Sequence, residues 1–201
     1  MDGVVLPDFS PVTLAGRHVR LEPLEAGHAD TLWMIAGDPA IWRWYPMRME
    51  NIVDMRHWVD TALDEQRRGQ SLPFVQRDVA TGALVGSTRF GNIAREHRRA
   101  EIGWTWLASP AQRTAVNTEA KLLLLRHAFE TLRLNRVELK TDALNERSRQ
   151  AIARIGAQQE GIFRKHMVTH TGRLRDTVYF SITHEEWPAV QRRLSGFLAG
   201  A

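Results

Sequence analysis

The segment SPAQRTAVNTEAKLLLLRHAFE, residues 109–130, is a polar loop that runs into a helix with an apolar face. Such a loop can bind phosphate, because the first amides of a helix lack intrahelical partners and the helix dipole is positive there. Residues 114–118 include no proline, so every residue of that stretch keeps its amide donor. Backbone amides, assisted by Arg113 and the threonine hydroxyls, can therefore hold a polyphosphate.

The same loop also has a purely structural interpretation. Asn117 can cap a helix that is predicted to run from that residue, and Glu119 can complement the helix dipole. Ala115 and Asn117 stand where glycine would let a phosphate approach more closely. Glu119 places a negative charge in the first helical turn, which also counts against phosphate. On the loop alone, both interpretations stay open.

The composition excludes several other kinds of chemistry. The chain has 201 residues and no cysteine, which removes disulfides, thiolate catalysis and cysteine-based zinc sites, and no metal site is expected. The absence of a long apolar run or a secretory signal predicts a soluble, cytoplasmic protein with no membrane partner. The net charge is +4, but the basic residues are spread along the chain, so nucleic acid is an unlikely partner. One domain over residues 1–201 is expected, with residues 1–16 as an N-terminal extension.

Hydrophobic periodicity then predicts the elements that must position the loop. Strands are predicted at residues 18–24, 71–78, 83–93, 99–108, 136–142, 158–168 and 176–183. Helices are predicted at residues 25–37, 52–68, from 117 onward, 145–156 and 185–198. This order predicts an α/β (α+β) fold with a mostly antiparallel sheet of about seven strands, interrupted by one strand–helix–strand crossover at residues 101–142.

Four segments of the chain carry a resemblance to a known family. They are the strand EIGWTWL, the loop and helix from Gln112, the strand RVELKTD followed by Asn145-x-x-Ser148, and IGAQQEG leading to RDTVYFSI. Together they resemble the GNAT superfamily of acyl-CoA-dependent N-acetyltransferases. The resemblance runs from about His18 to Leu198 and is strongest to the branch typified by the RimJ/RimL ribosomal-protein N-terminal acetyltransferases. It implies the GNAT fold, whose twisted and splayed central sheet is flanked by helices.

The resemblance identifies coenzyme A as the expected ligand of the loop. The family's loop pattern, Q/R-x-x-G-x-G/A, aligns with Gln112, Ala115 and Asn117, so both glycine positions are changed here. The resemblance implies that the loop amides cradle the pyrophosphate of acetyl-CoA and that a splayed strand binds the pantetheine arm. The implied cofactor-binding residues are Trp106, Leu107, Gln112, Arg113, Thr114, Ala115, Val116, Asn117, Thr118, Asn145 and Ser148.

Direct acetyl transfer to an amine needs positioning, oxyanion stabilisation and proton transfer. In similar enzymes the asparagine of the Asn145-x-x-Ser148 pair bonds the pantetheine, and the serine protonates the leaving thiolate. The alternatives are an N-cap for Asn145 and a solvent-facing helix position for Ser148. A backbone amide of the splayed strand, with Leu107 the nearest, is expected to stabilise the oxyanion.

The general base is less well defined by the sequence. Glu101 begins the cofactor-facing strand and can accept the amine proton, although a surface ion pair is the alternative; His97 and His166 are further candidates. RimL-type enzymes carry a glutamate at a position that aligns with Met167 here, so that role does not transfer. A protein α-amine, with a pKa near ~7.7–8.0 against ~10.4 for lysine, needs less base. This mildly favours protein N-termini or small amino compounds as acceptors.

An aromatic wall is expected around the acceptor, with about two of its members touching substrate. The candidates are Trp42, Trp44, Tyr45, Phe90 and Trp104. Arg43, Arg48 and Arg89 could attract an acidic group of the acceptor.

These observations predict an acetyl-CoA-dependent N-acetyltransferase that works through a ternary complex. The alternatives are a non-catalytic acyl-CoA-binding or regulatory module of the same fold and, more remotely, a basic nucleic-acid-binding domain. Similar proteins are often homodimers, so a homodimer is a further expectation.

Overall fold

A computed structural model describes residues 6–200 and contains one eight-stranded sheet in the order β1-β2-β3-β4-β5-β6-β8-β7. The strands are β1 (Leu14–Ala15), β2 (Val19–Pro23), β3 (Leu72–Asp78), β4 (Leu84–Ala94), β5 (Arg99–Leu107), β6 (Arg136–Asp142), β7 (Gln158–Val168) and β8 (Leu174–Thr183). The α-helices are α1 (Ala29–Ile35), α2 (Ile52–Arg67), α3 (Ala115–Arg126), α4 (Glu146–Arg154) and α5 (Trp187–Ala199). The α/β architecture predicted from the sequence is confirmed, with the two-residue β1 as an additional strand.

Strand pairing is antiparallel throughout the sheet except between β5 and β6. Those two strands are joined by α3, which makes the strand–helix–strand crossover that the sequence predicts. They pair only from Arg99 to Glu101 on β5 with Arg136 to Glu138 on β6. Beyond Glu101, β5 stays paired with β4 as far as Leu107, and β6 stays paired with β8 as far as Asp142. The sheet therefore opens between residues 102–107 and 139–142, a space called the interstrand gap below.

Side chains alternate between the two faces of the sheet, and each face has its own apolar cluster. Phe74 of β3 belongs to the larger cluster, which includes apolar residues of α3 and α5, whereas the adjacent Val75 packs with residues of α1 and α2. In β6 and β8, the residues that alternate with core positions such as Leu139 and Phe180 are polar or charged. The face that carries α1 and α2 thus continues into a polar surface over β6 and β8.

Helix α3 begins two residues earlier than predicted, and Asn117 is not its cap. Thr114 has extended backbone angles, φ −106° and ψ 179°, and its Oγ1 accepts a hydrogen bond from the Val116 amide, so Thr114 is the N-cap. The prediction was wrong because threonine and asparagine are both good caps, and the loop path chooses between them. In the predicted N-terminal extension, residues 1–5 lie outside the described residues, Phe9 is buried in the core, and Leu14–Ala15 form β1.

Glu119 has a different role from the one considered from the sequence. Its carboxylate is buried and accepts three backbone hydrogen bonds, from Arg17 at 2.9 Å, His18 at 2.6 Å and Val19 at 2.8 Å. The carboxylate therefore stabilises the turn between β1 and β2 by accepting hydrogen bonds from its amides. Its repulsion of a phosphate at the loop is correspondingly reduced.

Within residues 6–200, no helix is long and apolar enough to cross a membrane. The same part of the chain has no group of three or more histidine, aspartate or glutamate side chains placed to hold a metal ion.

Replacing Glu119 by alanine leaves three backbone N–H groups without their acceptor in a partly or fully buried turn. Each lost bond to a charged group is worth about 1.5–3 kcal/mol, so we expect Glu119→Ala to lower the free energy of unfolding by at least about 3 kcal/mol. Urea denaturation followed by circular dichroism measures this change. The exposed Glu96→Ala is the control, with an expected change within about 0.5 kcal/mol. Equal effects of the two substitutions would contradict this role for Glu119.

Candidate functional site

The interstrand gap exposes one backbone edge of β5. The Ala108 amide donates to the Val85 carbonyl on the β4 side at 2.8 Å. Because successive amides in a strand point to opposite edges, the Leu107 N–H points away from β4 and into the gap. An extended ligand can therefore add to this edge in the manner of a further strand.

Two helix N-termini lie at the open end of the gap. Helix α3 follows the carboxyl end of β5 and helix α4 follows that of β6, and the two strands are parallel. The first amides of both helices therefore lie at the end where the sheet has opened. The amide-rich loop and the Asn145-x-x-Ser148 pair are thereby brought to the same end of the gap.

Side-chain hydrogen bonds join both ends of α4 to the region where α3 begins. The Gln112 amide nitrogen donates to the Leu107 carbonyl at 2.9 Å, and Arg147 donates to the Gln112 side-chain oxygen at 3.1 Å. Arg154 of α4 donates to the Thr118 hydroxyl of α3 at 2.9 Å. Gln112, expected only as a ligand contact, is thus also a link between the end of β5 and the start of α4.

The loop manages its turn without glycine because Arg113 adopts the left-handed conformation, with φ 64°. A non-glycine residue in this region carries some strain, typically about 1–2 kcal/mol. Thr114 uses its hydroxyl on the Val116 amide, so that amide is partly satisfied within the protein. The neighbouring amides at the start of α3 have no intrahelical partners, which leaves them free for an anion.

Asn145 and Ser148 lie on the first turn of α4. The Asn145 side-chain oxygen accepts from the Ser148 amide at 3.1 Å, so Asn145 is the N-cap of the helix. This geometry uses only the oxygen of the Asn145 amide and leaves its NH₂ group available. Ser148 is half-buried. The capping role and a ligand contact are therefore compatible for Asn145.

Glu101 lies at the point where β5 and β6 part. It is buried, and its Oε2 accepts from Asn92 at 2.6 Å and lies 2.8 Å from the Lys140 ammonium group. The Oε1 atom lies beside Gly103 on the same strand. Although burial opposes the charge on Lys140, Glu101 and its neighbours raise the pKa of that lysine above its ordinary value. The ion pair considered from the sequence is present, but it is buried and pairs Glu101 with lysine.

The two histidines considered as alternative bases occupy different environments. His97 is exposed in the turn before β5, away from the gap. His166 is in β7, near the Tyr179 hydroxyl at 3.5 Å, and lines a cavity of about 500 Å³. The other residues that line this cavity are Asn92, Arg99, Glu138, Lys140 and Tyr179. The aligned position Met167 is exposed on β7.

The five aromatic residues expected at the acceptor site do not all lie together. Phe90 is fully buried in the cluster with Phe9 and Phe74, on the α3 side of the sheet, so its side chain is not available to an acceptor. Trp42 is buried beneath the helices on the other face and packs against Trp106. Tyr45 and Trp104 pack against the same cluster as Trp42 and are partly exposed. Trp44 is also partly exposed.

Trp106 and Leu107 differ in the groups that they direct into the interstrand gap. The Trp106 side chain is buried against Trp42 and Trp58, and its backbone pairs with Ser87 of β4. Leu107 has its amide directed into the gap. The expected strand contact therefore rests on Leu107 more than on Trp106.

Several charged residues near the gap were not selected from the sequence. In β6, the alternating residues Arg136, Glu138, Lys140 and Asp142 lie on the polar face, and Arg175 and Tyr179 of β8 lie beside them. The sequence RVELKTD alternates charged and apolar residues, and this pattern could have indicated the polar face. A strand with one charged and one apolar face borders either solvent or a polar site.

The sheet opens between two parallel strands, and comparison with known proteins identifies the family to which this fold belongs. The acetyltransferase (GNAT) domain model matches residues 18–158. The chain therefore belongs to the GNAT acetyltransferase family, and it is an acetyltransferase enzyme of the RimJ/RimL-like branch.

Individual relatives cover different shares of the chain. The "Putative ribosomal N-acetyltransferase YdaF" of Bacillus subtilis is 37% identical over 106 residues, which are 53% of this chain and 57% of that protein. A GCN5-related N-acetyltransferase from Brucella melitensis superposes with a TM-score of 0.86, at 31% identity over 97% of this chain and 90% of that one. Mycobacterium smegmatis RimJ, solved in complex with CoA-disulfide, gives a TM-score of 0.82 at 27% identity over 96% of this chain and 97% of that one.

Lys121 of α3 is a further titratable group that the sequence did not single out. Its side chain is buried, and its Nζ donates to the Thr105 hydroxyl at 2.9 Å. Burial lowers the pKa of Lys121 to about 7, from an ordinary value of 10.5. The folded protein therefore releases this proton at a lower pH than the unfolded chain does.

We predict that this lysine makes stability rise with pH between about 7 and 10.5. In that range the unfolded chain binds a proton that the folded chain has lost, and stability then increases with pH by at most about 1.4 kcal/mol per unit. Lys121→Met should remove this contribution. Between pH 7 and pH 9, the free energy of unfolding of the wild type should therefore rise relative to that of the variant. Denaturation at both pH values measures it.

The matched control is Lys165→Met, because Lys165 is exposed on β7. That variant should follow the wild-type pH profile. Parallel profiles for Lys121→Met and the wild type would show that Lys121 titrates normally in the folded protein.

Proposed function

We propose that this protein is an acetyl-CoA-dependent N-acetyltransferase that passes the acetyl group directly to a primary amine in a ternary complex. The observation that carries the proposal is the parting of β5 and β6 after only three paired positions, with the starts of α3 and α4 at the open end. This arrangement offers a strand edge for an extended arm and amides for its phosphates. The likeness to a RimJ solved with a coenzyme A derivative supports the same ligand.

The loop residues would hold the pyrophosphate through backbone amides. The left-handed Arg113 and the N-cap Thr114 orient the start of α3, and the amides of Ala115 and Asn117 are free of intrahelical partners. Arg113 is exposed and can add its charge to the amide donors. Replacing the two family glycines with Ala115 and Asn117 keeps the donors, because they belong to the backbone.

The β5 edge and α4 would hold the pantetheine arm and the thioester. The Leu107 amide points into the gap, where it can stabilise the oxyanion that develops when the amine attacks. The free NH₂ group of Asn145 can donate to a carbonyl of the arm. Ser148, one turn along α4, would give its hydroxyl proton to the departing thiolate.

The acceptor amine would approach from the face that carries α1 and α2. Glu101 is the proposed proton acceptor, through the Oε1 that is not engaged by Asn92 or Lys140. An α-amine is already partly neutral near pH 7, so a weak proton acceptor such as this carboxylate is sufficient for it. A protein N-terminus or a small amino compound is thus the proposed acceptor class. The name of the Bacillus relative adds a ribosomal protein N-terminus as one member to test.

Binding of acetyl-CoA can be tested by removing one amide while keeping the helix. Ala115 is the first residue of α3, where proline is well tolerated, and Thr114 before it already has the extended backbone that proline requires. Loss of one charge-assisted hydrogen bond costs about 1.5–3 kcal/mol, so Ala115→Pro should raise the Kd for acetyl-CoA by roughly 10- to 100-fold. Isothermal titration calorimetry measures it.

A matched control is Ile52→Pro, the same change at the first residue of α2, whose N-cap Asn51 is also extended. Its Kd should equal the wild-type value. A wild-type protein that shows no saturable binding of acetyl-CoA would overturn the proposed function.

Ser148→Ala tests whether the bound state leads to transfer. The variant lacks the proton donor but keeps the backbone amide that Asn145 caps, so we expect the Kd for acetyl-CoA to change less than twofold. General-acid catalysis contributes about 10²- to 10⁴-fold, so kcat should fall by at least about 100-fold. Release of free coenzyme A in the presence of an amine panel, detected with a thiol reagent, measures kcat.

The control for that experiment is Ser195→Ala, an exposed helical serine of α5, which should leave kcat unchanged. An unchanged kcat in Ser148→Ala would remove Ser148 from the mechanism. Acetyl-CoA binding by the wild type without transfer to any amine would favour the non-catalytic module.

A further inference from the structure

A cluster of buried hydrogen-bonding groups lies beside the gap without protein partners. Its central members are the Tyr45 hydroxyl, the Nε of Arg89 and the Nε of Arg175. The hydroxyl of Thr177 and the indole nitrogens of Trp58 and Trp106 are also unpartnered. Buried polar groups are nearly always hydrogen-bonded in folded proteins, so several donors of one region that have no protein partner can bind a ligand together.

Three elements bring these groups together. Tyr45 lies in the connection between α1 and α2, and the tip of the β7–β8 hairpin contacts that connection through a hydrogen bond from the His170 amide to the Pro46 carbonyl at 2.7 Å. Arg175 is on β8 just beyond this tip. Arg89 of β4 packs on Trp58, and the rings of Trp106 and Trp42 link Trp58 to Tyr45 in the connection. The charges of both arginines act on the Tyr45 hydroxyl.

Aromatic rings fix Arg89 next to the gap. Its guanidinium group lies 4.5 Å from the ring centroid of Trp104 and 5.2 Å from that of Trp58. Trp104 has φ 50° and stands at the irregularity in the pairing of β4 with β5, within the stretch of β5 that borders the gap. The cluster is therefore adjacent to the edge at which the thioester is proposed to lie.

Carboxylates of the protein leave these donors incompletely satisfied. Glu65 pairs with Nη1 of Arg89 at 2.7 Å, and Nε stays free. Asp142 is hydrogen-bonded by Arg173, while Nε of Arg175 is 3.9 Å from it, too far for a hydrogen bond. Glu101 acts on both arginines but is engaged by Asn92 and Lys140. Arg175 therefore shares the charge of Asp142 with Arg173, and no carboxylate accepts a hydrogen bond from its Nε.

The electrostatic surroundings favour an anion at this place. Burial raises the pKa of Tyr45 and lowers the pKa of Arg89 and of Arg175, with nearby charges offsetting part of each change. A bound anion would stabilise both guanidinium charges and accept the tyrosine proton in a hydrogen bond. Tyr45 and Trp104 are partly exposed, so the cluster lies just below the surface.

We propose that Tyr45, Arg89 and Arg175 form a subsite for a carboxylate of the acceptor, so that the preferred substrate is an amine with a carboxylate close to it. This inference rests on the proposed acetyl transfer and narrows its substrate class. A monoanion suits the site because Glu65 balances Arg89, while Arg173 and Arg175 share the one charge of Asp142, which leaves about one positive charge. The planar carboxylate can accept from several converging N–H and O–H donors at once.

The test compares acceptors that differ only in carboxylate against carboxamide. One pair is L-alanine and L-alaninamide, which probes an α-carboxylate. The other is the peptide amide Asp-Ala-Ala-Ala and its Asn-Ala-Ala-Ala counterpart, which probes an acidic first residue of a protein. For each pair the ratio of kcat/KM is compared between wild type and variant, so intrinsic differences in amine basicity cancel.

Tyr45→Phe removes only an unpartnered hydroxyl, and the fold should therefore tolerate it. We expect it to lower the carboxylate-to-carboxamide ratio about 5- to 10-fold in at least one pair, and Arg175→Gln to lower it about 10- to 100-fold. Arg20→Gln, which removes an exposed arginine of β2, is the charge control and should keep the wild-type ratio. The pair that responds identifies a free amino acid or an acidic peptide as the source of the carboxylate.

Transfer to all four acceptors with ratios unaffected by Tyr45→Phe and Arg175→Gln would overturn the subsite and leave the proposed function intact. If no acceptor reacts, that result contradicts the proposed function but does not test the subsite. The subsite is then tested separately by measuring the binding of N-acetyl-L-alanine through tryptophan fluorescence. Saturable binding that weakens in Tyr45→Phe supports the subsite. Absence of saturable binding overturns it.

Discussion

The structure depends on the parallel pairing of β5 with β6, which ends after three residues. Three residues of β5 pair with three of β6, and each strand then continues with its antiparallel neighbour alone. A sheet that opens in this way must leave backbone groups unpaired, and these have to be satisfied by water or by a ligand. The parallel direction also brings the starts of α3 and α4 to the open end. Strand edge, helix amides and the Asn145–Ser148 pair are thus consequences of one topological feature.

Side-chain hydrogen bonds join the two sides of the opening. Gln112 joins the end of β5 to Arg147 of α4, and Thr118 of α3 accepts from Arg154. Glu119, in the same helix as Thr118, anchors the turn between β1 and β2 by accepting three amides. Gln112 and Thr118, which the sequence suggests as ligand contacts, therefore also stabilise the fold. The loop has no glycine, and Arg113 adopts the left-handed conformation in its place.

Periodicity and turn signals were sufficient for the order of the elements and for exact bounds of β6 and β7, because these strands alternate strongly or are bounded by clear turns. They did not identify the face on which a residue lies: Phe90 is on the α3 side, away from the acceptor face. The choice of Thr114 over Asn117 as cap depends on the loop path. The contact between the β7–β8 hairpin tip and the connection after α1, from His170 to Pro46, joins segments that are distant in the sequence, so no local pattern predicts it.

The central claim is that the free edge of β5 and the first turn of α3 bind acetyl-CoA. Amide hydrogen exchange, measured with and without acetyl-CoA, tests it directly. The account predicts that amides in residues 102–107 and 113–117 exchange more slowly when acetyl-CoA is bound, while those of β2 and β3, distant from the gap, are unchanged. Protection that is absent from both of these stretches under saturating acetyl-CoA would contradict it.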